Sequence, residues 1–314
     1  MSSSSTRAQE QQKAALAQTN ARLEQLRAQL QARPRSQRLQ GKVAIITGAG
    51  SLLGIGRATA LQFAHEGASH IYLADLDDEN LGGLKEAISK AYPDVKVTIL
   101  ALDAADEDAV KSLCDRAVAE NGQLDIFFAN AGVATGAPLH HTDTEDVDRV
   151  LKVNTVSCFH ALKYASLAMK VVPPQGKSPS NKTMSGGSII MTSSVAGLRS
   201  GAGSVEYSAS KAAVVSLAQT GSWQLSRTGI RVNAICPGLI ETGMTSAVFE
   251  MARDRGAEGK IGQLNPSGRY GIASEIAYAV TFLASDEASY VNGVALAVDG
   301  GLSASHPIVP GKSY

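Results

Sequence analysis

The amino-acid sequence predicts a single doubly wound α/β domain, built on a mostly parallel sheet of seven strands and preceded by a helical arm. Three observations carry this. Short apolar runs recur at 42–47, 70–74, 96–102, 125–129, 188–192, 231–236 and 293–298. Segments with helical patterning separate them, the alternation that produces parallel strands joined by right-handed crossovers. Several runs end in a polar side chain, with Asp75, Asp103 and Asn130 all at the carboxyl end of a strand, where such sheets bind ligands.

Composition narrows the function classes. A chain of 314 residues with 44% hydrophobic residues can bury a sizeable core. Its 29 basic and 29 acidic residues leave no net charge, so nothing draws it to nucleic acid or an anionic membrane, and small molecules are the expected partners. Cys114, Cys158 and Cys236 are odd in number and widely spaced, which suits free thiols in a reducing, cytoplasmic setting. The six histidines form no H-E-x-x-H pattern, and His140 and His141 are adjacent, so no metal site is expected. No apolar run approaches the ~18 residues of a membrane span.

Residues 1–40 form an arm of different composition. Ala, Gln, Leu, Arg and Glu dominate 9–32, and the run ends against Pro34, so a helix is expected. Leu16, Leu23 and Leu30 are spaced by seven, with Leu26 beside them, giving a narrow apolar stripe suited to docking or to an oligomer contact. A disordered tail is the second reading. A mitochondrial targeting peptide is the third, weakened by Glu10 and Glu24. Residues 304–314 read as a carboxyl-terminal tail.

The first strand leads into Gly48-Ala49-Gly50-Ser51-Leu52-Leu53-Gly54-Ile55-Gly56 and then a helical pattern to about His65. Glycines let the backbone turn tightly and approach a pyrophosphate, whose charge is stabilised by the amides and dipole of the following helix. The second strand ends at Asp75, nineteen residues after Gly56, where a carboxylate can accept from adenosine ribose hydroxyls and repel a 2′-phosphate. With Leu76-Asp77-Asp78 following and no Arg or Lys from Gly48 to Gly56, NAD is favoured; Arg57 keeps NADP open.

The fifth strand delivers Ser193 and Ser194, and Tyr207 follows thirteen residues after Ser194, with Lys211 four further on. In a helix beginning near Ser204, Tyr207 and Lys211 share one face. A fixed ammonium beside a phenol favours the phenolate, and the Ser194 hydroxyl can bond the same substrate oxygen. The spacing alone is weak, because Tyr92 and Lys96 repeat it. Pro93 opposes a helix there and the segment runs into a strand.

Across residues 41–303 the chain resembles the classical short-chain dehydrogenase/reductase family, whose domain is a Rossmann fold. The carriers are Thr47-Gly48 with Gly54-Ile55-Gly56, Asn130-Ala131-Gly132, Asn154, Ser194, Tyr207 with Lys211, Pro237-Gly238, and Val298-Asp299-Gly300-Gly301. The glycine loop departs from the family's, with five residues from Ala49 to Leu53 where three are usual. The resemblance implies a catalytic set of Asn154, Ser194, Tyr207 and Lys211. It also implies a cofactor site along Gly48, Leu53, Gly54, Ile55, Gly56, Asp75, Leu76, Asp103, Ala104, Asn130, Ala131, Gly132, Tyr207, Lys211, Pro237, Gly238, Ile240 and Thr242. The backbone near Ile240 and the Thr242 hydroxyl would meet the carboxamide, Asn154 would fix a water serving Lys211, and the assembly would be a homodimer or homotetramer.

The expected activity is hydride transfer between NAD(H) and a secondary alcohol or ketone, with Tyr207 as general acid/base. The alternatives are an NADP(H)-dependent carbonyl reductase and a non-catalytic dinucleotide-binding regulatory protein. A single helix is expected over 144–169. Residues 243–265 lack a clean periodic pattern and read as a substrate lid. Residues 171–187, rich in Pro, Gly, Ser and Lys, read as an inserted surface loop on the face away from the site.

Overall fold

Strand β1, Val43–Thr47, is buried at every position, as its unbroken apolar sequence requires of a central strand covered on both faces. A computed structural model describes residues 16–17, 19–25, 28, 34–174, 176–178, 180 and 182–306. The strands following β1 are β2 His70–Asp75, β3 Lys96–Ala101, β4 Ile126–Ala129, β5 Gly187–Thr192, β6 Ile230–Pro237, the two-residue β7 Ile240–Glu241 and β8 Gly271–Ile272, and β9 Ala295–Val298. Seven of them form one parallel sheet in the order β3-β2-β1-β4-β5-β6-β9. The chain winds outward in one direction through β2 and β3, returns past β1 to β4, and continues the other way. The direction therefore reverses at the β1/β4 boundary, the crevice where doubly wound sheets hold ligands.

The helices are α1 Ile55–His65, α2 Leu81–Ala91, α3 Glu107–Asn121, α4 Thr144–Leu151, α5 Ser157–Met169, α6 Val205–Gln224, α7 Ser246–Asp254 and α8 Ala273–Ala284. Alternation along β1 divides the core in two. Ala44 and Ile46 face Phe63 of α1, Leu84 and Ile88 of α2, and Ile276 and Val280 of α8. Val43 and Ile45 face Val110 and Leu113 of α3, Cys158 and Ala161 of α5, and Val214 and Ala218 of α6. The two-residue period of a strand and the 3.6-residue period of a helix thus meet on both sides of one sheet. Among the described residues, no helix is long and apolar enough to cross a membrane.

Three expectations are refined. The helix over 144–169 runs without a break but contains a π turn, Lys152–Val156, between α4 and α5, with the Ser157 amide donating to the Lys152 carbonyl. Residues 243–265 hold an ordered helix, α7, in which Phe249 is the buried residue. The 171–187 segment is more than surface. Lys182 turns inward, donates to the carbonyls of Leu124 and Met169 at 3.0 Å each, and lies 3.8 Å from the buried Asp125 carboxylate.

The described part of the arm, residues 16–17, 19–25 and 28, is helical. Leu23 is 1% exposed and packs with Phe249, Ile261, Tyr270 and Ile272. Leu26, Leu30 and the tail beyond residue 306 lie outside the described residues.

Candidate active site

The glycine turn after β1 is dictated by close approaches. Gly48 has φ +70°, and a Cβ there would lie 2.8 Å from the Ala131 Cα; one on Gly56 would lie 2.2 Å from the Gly48 carbonyl oxygen. Neither position tolerates a side chain without moving backbone. Helix α1 then starts at Gly54 with no side-chain cap and no acidic residue in its first turn. Its first amides and dipole are left for an external anion. Asp75, at the end of β2, accepts from the Gly50 amide at 2.7 Å, which fixes the carboxylate against the loop. Leu53 is 59% and Leu76 74% exposed, flanking this edge with apolar surface. Uncapped amides, a glycine cradle and a held carboxylate fit a dinucleotide.

Asn130 organises the crevice. Its Nδ2 donates to the carbonyls of Gly48 at 3.0 Å and Thr47 at 3.3 Å, and its Oδ1 accepts from the Thr192 hydroxyl at 3.1 Å. The Thr47 hydroxyl in turn accepts from the amides of Asn130 and Ala131 at 3.1 and 3.3 Å. One side chain therefore ties the ends of β1, β4 and β5 together. Asp103 accepts from the Ala105 amide at 2.8 Å, forming the turn into α3, and Ala104 is buried beside it.

The expected catalytic residues converge on the end of β5. Ser193 and Ser194 divide the work: Ser193 is buried and donates to the Lys211 carbonyl at 2.7 Å, whereas Ser194, whose hydroxyl accepts from the Ala196 amide at 3.1 Å, faces the Tyr207 phenol. Helix α6 sets Tyr207 and Lys211 one turn apart, with the Lys211 ammonium 5.6 Å from the Tyr207 ring centroid. Lys211 is 2% exposed and donates to the Thr192 carbonyl at 2.9 Å. Burial holds its ammonium below the ordinary 10.5. Burial likewise pushes the Tyr207 phenol above 10.0, with the Ser194 hydrogen bond working against it. In the protein alone, desolvation therefore outweighs the phenolate stabilisation expected from the Tyr207–Lys211 spacing.

Asn154 lies in the π turn and is fully buried. Its Oδ1 accepts from the Val133 amide at 2.8 Å, and its Nδ2 donates to the Val133 carbonyl at 2.9 Å and the Ser210 hydroxyl at 3.0 Å. Both N–H groups are thus used by protein, leaving one Oδ1 lone pair for a water. A Cβ on Gly132 would come within 3.1 Å of Asn154 Oδ1 and 3.3 Å of Lys211 Nζ, so the three meet around one glycine.

The β6 end closes the far side. Gly238 is required by the Asp299 Cα, 2.7 Å from where its Cβ would be, and Pro237 ends β6. Here Thr245, absent from the sequence-based set, intervenes. Its hydroxyl donates to the Ile240 carbonyl at 2.6 Å and lies 3.3 Å from the Thr242 hydroxyl. The Ile240 carbonyl therefore has one lone pair engaged by Thr245.

Sequence reasoning named Thr47 only as a carrier of the resemblance, not as a site residue, and missed Thr192, Ser210 and the Thr135–Ser204–Glu206 cluster. There Thr135 donates to Glu206, and Ser204 donates to the Thr135 carbonyl at 3.3 Å. A hydroxyl on the last strand residue before a glycine turn was the available signal for Thr47. The others are hydrogen bonds between distant segments. Cys114 and Cys236 are pushed up by burial to about 12 and about 11, and Cys158 is raised likewise, so none offers a ready thiolate.

The fold, the glycine turn and the Ser–Tyr–Lys arrangement define a dinucleotide-dependent oxidoreductase class, and comparison with known proteins agrees. A family model described as enoyl-(acyl carrier protein) reductase matches residues 48–303. The chain is 41% identical over 266 residues to the 3-oxoacyl-acyl-carrier-protein reductase FabG of Thermotoga maritima, covering 84% of this chain and 99% of that protein. It is 36% identical over 273 residues to levodione reductase of Leifsonia aquatica, covering 86% and 97%. A crystal structure of levodione reductase superposes with a TM-score of 0.75 at 35% identity, covering 85% of this chain and all of that one. The chain belongs to the short-chain dehydrogenase/reductase family and is an oxidoreductase of that family, which uses NAD(P)(H).

Proposed function

We propose that the protein transfers a hydride between NAD(H) and a secondary alcohol or ketone, with Tyr207 as general acid/base. The observation that carries this reading is the convergence of Ser194, Tyr207, Lys211 and Asn154 at the carboxyl end of β5, beside the uncapped start of α1. Relatives named as levodione reductase and 3beta-hydroxysteroid dehydrogenase act on carbonyl or hydroxyl groups by name, which supports the substrate class.

When bound, the dinucleotide supplies the hydride acceptor or donor. The uncapped amides of Ile55 and Gly56 would hold its phosphates, and Asp75 the adenosine ribose. The amide end of β7 and the Thr242 hydroxyl would orient the carboxamide. Ser194 and Tyr207 hold the substrate oxygen between two hydroxyls. In oxidation Tyr207 takes the proton from that oxygen; in reduction it returns one. Lys211, fixed by the Thr192 carbonyl, keeps a positive charge beside the phenol and favours its ionised form. Asn154 positions Lys211 through Ser210 and Val133, and its free Oδ1 lone pair can hold the water that carries the proton away.

NAD is preferred over NADP because the Asp75 carboxylate, locked to Gly50, sits where a 2′-phosphate would bring like charge. Arg57, in the first turn of α1, has one buried guanidinium nitrogen, Nη1, without a partner among the described residues, a donor still open to an anion, so NADP(H) is the alternative cofactor. A homodimer or homotetramer in the cytoplasm is the assembly and setting proposed. The test is a panel of secondary alcohols and ketones followed by NADH absorbance, with Tyr207→Phe as control. Turnover of some member, lost in Tyr207→Phe while NADH still binds, supports the reading; near-native turnover by that variant refutes it.

A further inference from the structure

The lid segment has a small core of its own. Phe249 of α7 meets Tyr270 edge-on at 4.9 Å, and Ile261 and Ile272 complete the cluster, with Leu239 and Ala252 at its margin. All of these lie between residues 239 and 272. Leu23, from the arm, is the one member from elsewhere among the described residues, and it is 1% exposed.

The cluster is joined to the proposed carboxamide site by backbone. Ile272 belongs to β8, which pairs with β7 through Ile240↔Gly271 and Glu241↔Ile272. Arg253 of α7 also pairs with Glu241. Behind this pair, Glu275 holds the Ile272 amide at 3.1 Å and Arg269 at 2.7 Å, and the charge of Arg22, next to Leu23, reaches the same carboxylate. The arm therefore touches the lid by the apolar plug of Leu23, with the charge of Arg22 near enough to act on Glu275.

We infer that Leu23 is a positioning residue for the substrate lid: the amino-terminal arm straps α7 and the β7/β8 pair of its own chain, and so sets how firmly the carbonyl substrate is enclosed. This rests on the oxidoreductase reading above. Among the described residues, no proposed cofactor residue belongs to this cluster. Loss of Leu23 should loosen the lid and leave the dinucleotide's phosphate and ribose contacts in place.

The test compares the full chain carrying Leu23→Ser with the native protein and with Leu23→Met, which keeps apolar bulk. The first readout is tryptic cleavage after the exposed Arg255 and Lys260 under native conditions, which needs no activity. Leu23→Ser should speed cleavage by about tenfold and raise KM for the carbonyl substrate by about tenfold, while the NADH dissociation constant stays within about twofold. Leu23→Met should restore both. Native cleavage rates in Leu23→Ser would overturn the strap whatever the activity. Absence of turnover in the native protein would instead overturn the oxidoreductase reading, and the cleavage rates would still decide whether the arm holds the lid. Should Leu23→Ser fail to fold, Leu23→Ala is judged by the same two readouts.

Discussion

The Asn154 amide donates to the Ser210 hydroxyl at 3.0 Å, joining the π turn to the residue immediately before Lys211. The Ser210 hydroxyl in turn donates to the Tyr207 carbonyl at 2.7 Å, so one short chain of bonds links Asn154 to the α6 turn that carries both Tyr207 and Lys211. Replacing Asn154 by Ala strips partners from the Val133 amide and carbonyl as well. Each buried group left unsatisfied costs about 1–3 kcal/mol. Asn154→Ala should therefore lower Tm, and kcat should fall more than KM for NADH rises. Thermal unfolding and steady-state kinetics check this; a native Tm with native kcat would remove Asn154 from the site.

Ser194 acts on the pH profile as well as on the substrate. Burial raises the Tyr207 phenol above 10.0, and the Ser194 hydrogen bond pulls it back. Without Ser194 the phenol should titrate higher still. In Ser194→Ala the alkaline rise of kcat/KM for alcohol oxidation should move to higher pH, and the plateau should fall by about 10²-fold, typical of losing one positioned donor. An unmoved profile would separate Ser194 from Tyr207.

Asp75 should govern the choice of dinucleotide. Asp75→Ser removes the carboxylate's charge while keeping a short hydrogen-bonding side chain near the Gly50 amide, which Asp75 now holds at 2.7 Å. NADPH should improve and NADH weaken, shifting the ratio of kcat/KM values by about 10²-fold, or roughly 2.7 kcal/mol. An unchanged ratio would place cofactor selection elsewhere in the loop.

A stability test is independent of catalysis. Burial pushes the Glu66 carboxyl up, but hydrogen bonds from the Arg38 side chain and amide outweigh it and hold the group below 4.5. Arg38 meets Glu66 at 2.6 Å, with the Glu66 side chain 3% exposed. A depressed carboxylate contributes stability that is fully present above its unfolded value and is lost as pH falls through the folded one. Arg38→Met should therefore cost about 3 kcal/mol near neutrality. The difference from native should shrink below pH 4.5, as Glu66 protonates. A difference constant from pH 7 to pH 3 would show that packing of the Arg38 stem, not its charge, carries the effect.

Much of the molecule was legible along the chain. The seven apolar runs coincide with the seven strands of the main sheet to within a residue or two, because the central strands, buried on both faces, must be continuously apolar. Gly48 and Gly56 announced a turn with no room for side chains, and the i,i+4 spacing placed Tyr207 beside Lys211 once α6 formed. Helix α7 is only nine residues long and lies between glycine-bearing turns, and the π turn was hidden because its residues differ from a normal helix only in backbone bonding.

Local order along the chain thus settled the strand–turn–helix units, the glycine turn and the residue types of the site, since these depend on neighbours a few positions apart. Folding alone decided what each of those groups spends its hydrogen bonds on. Asn154 is committed to Val133 and Ser210, Asn130 to Gly48 and Thr192, and the Ile240 carbonyl to Thr245. It also decided that the dry interior around Tyr207 and Lys211 works against both of their charges, and that Leu23 is buried against residues more than two hundred positions away. Desolvation and contact between distant segments are properties of the packed chain, and no spacing in the sequence encodes them.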